Sequence, residues 1–269
     1  MPLQSLLQNQ FSLKQNLKNF KNQFQFPIFE INLYSMSIIR FFLLLHAFCL
    51  FAQSDFEKGE KLFVQKKLPE AKILFENYLK MNPNNYKTIE LLGDVAGQQK
   101  NWDEAIKQYK ILKVQFPKEA EYWYKYGGAL GMKAKDSNRF KALGMLDDVE
   151  NSFLMATKLD SKHIPSRWAL VIYYIQIPGI LGGSEKKSQK FANQLMVLSP
   201  VDGFTANGYI AEYFKRYLDA EKFYVKAYEI SKSEKTYQKL YDFYSIKLKN
   251  ISKAKKLKEQ FDGRVEVKD

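Results

Sequence analysis

The chain has 269 residues, of which 46% are hydrophobic and 26% are charged, and its formal net charge is +13 at pH 7. These proportions match those of globular proteins, so they argue against a wholly disordered chain, a collagen and a multi-span membrane protein. The single Cys excludes an internal disulfide framework, and the small numbers of Gly and Pro, 13 and 8, disfavour a sandwich of short strands. The composition therefore favours a folded helical protein.

A short apolar segment lies near the N-terminus. Residues 36–53 read MSIIRFFLLLHAFCLFAQ, which is a Met, one Arg, a mostly apolar run from Phe41 to Ala52 and a small residue near the end. This is the layout of a secretory signal peptide, and the apolar run is shorter than the roughly 20 residues that cross a bilayer. We expect cleavage near residue 53 and a secreted or periplasmic protein of the bacterial cell envelope.

Residues 1–35 precede this segment, although a signal peptide belongs at the initiator Met. We expect that translation starts at Met36 and that 1–35 is a non-native or disordered extension. Two alternatives stay open. The Leu, Phe and Lys residues of this stretch could form an amphipathic helix on a membrane, or the stretch could be an organelle transit peptide, which the absence of Arg before Arg40 disfavours.

Removal of the signal peptide would also remove Cys49 and His46, which leaves one His and no Cys. Cysteine nucleophiles, thiolate metal sites and zinc sites built from several His are then excluded. Adjacent carboxylates such as Asp147 and Asp148 point to different faces of a helix. We therefore expect no catalytic residue, no cofactor and no metal.

From residue 59 onward the sequence repeats with a constant interval. Three small or turn-forming residue types keep one register at a spacing of 34: Gly59, Gly93 and Gly127; Ala71 and Ala105; Pro83 and Pro117; and, farther on, Ala220 and Ala254. A fixed period of this length indicates an array of helical repeats that stack on one another.

The repeats resemble the tetratricopeptide repeat (TPR), a helix-turn-helix unit. In the unit over 86–119 the signature positions hold Ile89, Leu92, Gly93, Trp102, Ala105, Tyr109 and Pro117. Gly at the eighth position and Ala at the twentieth let helices A and B approach closely, while larger residues fill the space around them. The resemblance implies an all-α, right-handed superhelical TPR solenoid of about five to six repeats, of a bacterial secreted or periplasmic type.

The register requires two insertions, one near 132–144 and one at 178–184, and both fall where turn-forming residues occur. The last unit has Asp242 where the repeat usually has Gly, and it is predicted to be a polar capping repeat. The predicted organisation is therefore TPR repeats 1–5 over 54–234, followed by a capping repeat and basic tail over 235–269.

Signals for catalysis are weak. Ser184 follows two Gly residues and could begin a helix whose exposed amides bind an anion, but the spacing of a phosphate-binding loop is absent. A helix connector with Ser184 as the N-cap is the better interpretation. His163 lies in a polar segment and is predicted to face solvent between repeats. An enzyme or enzyme subunit that uses the 179–184 loop stays open as an alternative function.

Positive charge is concentrated near the C-terminus. Residues 232–258 contain nine Lys against Glu234 and Asp242, and nine minus two gives +7. Interleaved aromatic residues would suit nucleic-acid binding in a cytosolic protein, which the predicted signal peptide argues against. The same stretch could instead associate with an acidic partner or an anionic surface.

The resemblance also implies a binding site, because helix A lines the concave, peptide-binding face in this family. The corresponding positions are Glu90, Asp94, Tyr124, Trp168, Ile172, Tyr209, Glu212, Tyr213, Lys239 and Phe243. Aromatic anchors among a few charges suit an extended or helical peptide, although helical spacing alone does not separate groove aromatics from core aromatics. We therefore predict a non-catalytic protein-interaction scaffold whose partner is an unidentified protein or peptide.

Overall fold

The structure, a computed structural model, describes residues 55–265, and the regular elements of this part of the chain are helical. A first helix, α1, covers 55–64 of the described residues. Eleven further α-helices follow: α2 (Leu68–Met81), α3 (Tyr86–Gln98), α4 (Trp102–Gln115), α5 (Ala120–Asp136), α6 (Arg139–Leu159), α7 (Ile164–Gln176), α8 (Glu185–Leu198), α9 (Pro200–Tyr213), α10 (Tyr217–Ser231), α11 (Glu234–Asp242) and α12 (Ile251–Val265).

Consecutive helices form six hairpins, α1–α2 to α11–α12, and each hairpin packs against its neighbours along the chain. The predicted all-α solenoid is therefore confirmed. The predictions for 1–35 and for the signal peptide at 36–53 lie outside the described residues. Within the described part of the chain, every helix is too short or too polar to cross a membrane.

Polar side chains begin most of the helices. The Asn85 side chain accepts a hydrogen bond from the Thr88 amide at 2.9 Å to start α3, and Asn138 accepts one from the Lys141 amide at 3.0 Å to start α6. Such caps satisfy amides that have no partner within the helix. Ser184 caps α8 in the same way, so the predicted helix connector is confirmed.

The repeated small residues hold the two helices of each hairpin close together. A Cβ added at Gly93 of α3 would lie 2.6 Å from Cε1 of Tyr109 on α4, and one at Gly59 would lie 2.7 Å from Cε1 of Phe75. Ala105 is fully buried in the same interface. The packing reason given for the repeat signature is therefore confirmed, since a larger residue would force the helices apart.

The two insertions take different forms. The first adds no long loop, because α5 and α6 are extended to 17 and 21 residues and only 137–138 separate them. The second forms the connector 177–184, which contains a 3₁₀ turn at Gly179–Leu181 and a left-handed Gly182 with φ of 94°. Both insertions lie at the turn within a hairpin, in adjacent repeats.

The core consists of three clusters that follow one another along the chain. A large central cluster joins α3 to α9, and smaller clusters occupy the two ends. At the C-terminal end, α11 continues as a π-helical segment, Phe243–Lys247, before the turn to α12. This segment puts Phe243 and Tyr244 into the terminal cluster.

Candidate functional site

An open cleft of about 940 Å³ lies along the first helices of successive hairpins. Its two main walls are α5 and α7, and α6 closes one side with Leu146, Val149 and Phe153. We call this cleft the groove. Its wall residues are mostly apolar, which is typical of clefts that bind ligands.

Small residues on α5 make room for the groove. Gly128, Gly131 and Ala134 recur at helical spacing and line it. A Cβ added at Gly128 would meet no heavy atom within 4 Å, whereas one at the adjacent Gly127 would lie 2.8 Å from Cβ of Ser152. Gly127 therefore serves helix packing, and Gly128 leaves open space in the groove.

Three of the predicted site residues line the groove, namely Tyr124, Trp168 and Ile172. The Trp168 indole donates a hydrogen bond from Nε1 to Asp202 Oδ1 at 2.8 Å, which fixes the ring orientation. The Tyr124 ring contacts Phe153, with ring centroids 6.1 Å apart. Ile172 is 37% exposed. Fixed aromatic rings beside an exposed aliphatic side chain can hold an apolar anchor of a ligand.

Glu90 and Asp94, which were also predicted for the site, lie at one end of the groove in a network of charges. Lys125 Nζ donates to Glu90 at 2.7 Å and to Asp94 at 2.8 Å, and the Tyr109 hydroxyl donates to Asp94 at 2.7 Å. Burial alone raises the pKa of Glu90, but hydrogen bonds from Lys125 and Lys87 outweigh it and keep that pKa below its ordinary value. Both carboxylates are thus occupied by hydrogen bonds from other side chains of the same chain.

A second network occupies the C-terminal end of the predicted site. Glu212 accepts from the Tyr224 hydroxyl at 2.7 Å and pairs with Lys239 at 3.0 Å and Lys247 at 3.4 Å. The Glu212 side chain is 11% exposed. Burial favours its neutral form, yet the bonds from Tyr224 and Lys239 hold the pKa of Glu212 below its ordinary value. Burial and the nearby carboxylate both raise the pKa of Tyr224.

The three remaining predicted residues have different surroundings. Tyr209 accepts a hydrogen bond from Gln176 Nε2 at 3.2 Å, and Tyr213 is 49% exposed beside Phe214. Phe243 is only 1% exposed and its ring packs 5.2 Å from that of Tyr224. Its prediction as a groove residue is therefore wrong, because Phe243 lies three positions after the buried Leu240 and continues the core face of α11.

Several groove residues were missed by sequence reasoning. Trp102, Lys125, Met132, Gln176 and Asp202 all line the groove. The sequence feature that could have located the groove is the run of small residues in α5, because small side chains leave space beside that face of the helix. Lys125 lies one position beyond Tyr124, outside the positions that the family resemblance assigns to the groove.

His163 differs from its prediction as a solvent-facing residue, since its side chain is only 10% exposed. Its Nδ1 lies 2.9 Å from Ser166 Oγ and 3.2 Å from the Ser166 amide nitrogen, and its Nε2 lies 3.0 Å from Glu121. A Ser, a His and a carboxylate are thus in contact, as in hydrolases. However, Ser166 is fully buried, so its hydroxyl cannot meet a substrate, and the arrangement caps α7.

The other candidate features also have structural partners. The amide of Ser184 donates to the Tyr174 carbonyl at 2.8 Å, while its hydroxyl caps α8. In the basic stretch 232–258, four of the nine lysines make ion pairs: Lys239, Lys247, Lys253 and Lys255. Among the residues that the structure describes, there is no cluster of three metal-binding side chains.

The fold is shared with solved TPR structures. TTC0263, a TPR protein from Thermus thermophilus, aligns over 68% of this chain and 93% of its own, with a TM-score of 0.56 and 19% identity. A TPR protein from Parabacteroides merdae aligns over 78% of each chain, with a TM-score of 0.54 and 15% identity. Human IFIT1, solved as a dimer with PPP-AAAA, aligns over 72% of this chain and 46% of its own, with a TM-score of 0.58 and 18% identity.

These alignments show that the chain has the TPR solenoid fold. No protein-family model matches the sequence, and no curated protein matches it.

Proposed function

We propose that the protein is a non-catalytic interaction scaffold that binds a segment of a partner protein in the groove. The observation that carries this proposal is the open apolar space between α5 and α7, with Trp168 and Tyr124 in its walls. Peptide segments bind such clefts through a few apolar anchors, and the surrounding contacts exclude water.

The charges around the groove suggest which segment would fit. Lys125, Lys135 and Lys235 line it together with Asp202, which already accepts the Trp168 hydrogen bond. Lys125 already pairs with Glu90 and Asp94, whereas Lys135 and Lys235 make no ion pair within the described residues. A segment with a large apolar side chain and a neighbouring acidic residue would satisfy both the walls and these cations.

The proposed location is the bacterial cell envelope, after export directed by the signal peptide predicted at 36–53. This part of the proposal rests on the sequence pattern alone. An intact mass that begins near residue 54, in the envelope fraction of the native host, would support it; a cytosolic chain that retains 36–53 would contradict it.

The groove can be tested by filling it. Phage-displayed random peptides are selected on the immobilised full chain, and the affinity of an enriched peptide is measured for Gly128→Leu and for Gly144→Leu. Each new Cβ has open space, but only Gly128 lines the groove. We expect Gly128→Leu to weaken binding at least about tenfold, or about 1.4 kcal/mol, while Gly144→Leu binds like the wild type.

Two results would contradict the groove as the binding site. One is the absence of any enriched peptide from a folded protein. The other is equal binding by the two leucine variants, which would place the contact elsewhere on the surface. Circular dichroism of both variants checks that the helices are retained.

A further inference from the structure

The turns within the hairpins carry an unusual combination of charge and exposed apolar side chains. These turns are 65–67, 99–101, 137–138, 177–184, 214–216 and 248–250. We call the edge of the solenoid that they form the turn edge. Contacts between successive turns join them, for example Lys66 Nζ to Gln98 at 3.0 Å and Trp102 Nε1 to Asp136 at 2.6 Å.

The charge of the turn edge differs from that of the opposite edge. Its turns contain six cations, Lys66, Lys67, Lys100, Lys215, Arg216 and Lys249, and no acidic residue. The connections between hairpins, 82–85, 116–119, 160–163, 199 and 232–233, contain three Lys and two acids. The charges are therefore +6 on one edge and three minus two, or +1, on the other.

Exposed apolar side chains follow the same edge. Ile180 is 94% exposed, Phe140 is 89% exposed and Leu218 is 78% exposed, and each lies in a hairpin turn or within two residues of one. Phe140 and Ile180 belong to the two insertions, which lie in adjacent repeats. Side chains as exposed as these do not contribute to the core of the protein.

Most cations beside these apolar tips are free to bind a partner. Within the described residues, Arg139, Lys141, Lys186 and Lys215 make no ion pair, whereas the nearby Glu185 and Asp219 are paired with cations. Asp136 accepts from Trp102, and Glu185 pairs with Arg216. Asp136 keeps its negative charge, because the Trp102 indole is neutral, but the unpaired cations near the apolar tips outnumber this acid.

We propose that the turn edge of the third, fourth and fifth hairpins docks on a membrane surface that contains anionic lipids. Phe140, Ile180 and Leu218 enter the headgroup region, and the unpaired Lys and Arg side chains contact lipid phosphates. Apolar insertion combined with basic residues is how peripheral proteins bind anionic membranes. An acidic protein or a nucleic acid would use the cations but would not require three separate apolar tips.

The test measures insertion at the tips of the full chain. Single-Cys variants Ile180→Cys and Val197→Cys, both with Cys49→Ser, carry an environment-sensitive fluorophore. Val197 is a matched control, because it is 85% exposed but lies within α8, away from the turns. Vesicles of phosphatidylcholine with phosphatidylglycerol should shift the emission of the probe at 180 to the blue and leave the probe at 197 unchanged.

Sedimentation with the same vesicles provides a second measurement. Phe140→Ser with Ile180→Ser should weaken partitioning about tenfold relative to Val114→Ser with Val197→Ser, because only the first pair removes side chains of the turn edge. The proposal is overturned if both pairs sediment equally, if the probe at 180 does not respond, or if DNA binds as tightly as the anionic vesicles. None of these measurements involves the groove, so they do not depend on the peptide proposal.

Discussion

The groove between α5 and α7 is open, whereas at the C-terminal end of the predicted site the facing helices α9 and α11 are joined by charged side chains. Trp168 and Ile172 border empty space in the first region. In the second, Lys239 reaches across to Glu212, which also accepts from Tyr224. Similar helix positions therefore border open space in one repeat and form an internal brace in another. The position of a residue in the repeat determines which face of the helix its side chain lies on. The side chains around it determine whether it is free to contact a ligand.

The largest expected effect comes from breaking the brace. Glu212→Ala leaves the Tyr224 hydroxyl and Lys239 without their acceptor in a largely buried position. We expect the free energy of unfolding, measured with urea, to fall by about 2–3 kcal/mol. Tyr213→Ala, one position further along α9 at an exposed site, is the control and should cost less than about 1 kcal/mol. Equal losses for the two variants would argue against a brace.

The adjacent residues Gly127 and Gly128 allow a packed position and an open position to be compared within the same helix, α5. Gly127→Ala places a methyl group against Ser152 and Phe153, so we expect a loss of about 2 kcal/mol. Gly128→Ala meets open space and replaces a helical glycine, so a gain of about 0.5–1 kcal/mol is expected. Thermal unfolding of both variants measures the difference. A loss of stability at Gly128 would show that the groove is closed in solution.

The smallest effect concerns pH. The pKa of Glu212 is lower in the folded protein than its ordinary value of about 4.3 in an unfolded chain. Its contribution is therefore complete above the unfolded pKa and is lost as pH falls through the folded pKa. Glu212→Gln should show a shallower decrease in the free energy of unfolding below about pH 4.5 than the wild type. Parallel curves for the two proteins would refute this assignment.

The sequence predicts the fold well because its signal is geometric. Small residues such as Gly93 and Ala105 occur at a fixed interval along the chain, at points where two helices touch. The space at these points is too small for larger side chains. The same reasoning predicts Ser184 as a helix cap, since capping depends on residues only three positions apart. Features that depend on nearby residues or on a regular repeat can be predicted from the sequence without knowledge of contacts between distant residues.

The site was harder to predict because it depends on contacts between repeats. Phe243 has the spacing of a groove residue, but it also continues the buried face of α11, three positions after Leu240. Glu90 binds Lys125, 35 positions away, and His163 binds Glu121, 42 positions away. Helical spacing contains no information on these partners. The sequence therefore does not distinguish a side chain that is free at the surface from one that is bound to another side chain.

The division of the core into three clusters has a consequence for unfolding. The central cluster supports the groove, while separate end clusters hold the first and last hairpins. In a linear array, each hairpin is stabilised only by its neighbours, so the terminal ones have a single stabilising interface. Amide hydrogen exchange should therefore advance from both ends toward α5 and α7. The walls of the groove would then remain protected in partly unfolded molecules that have already lost their terminal hairpins.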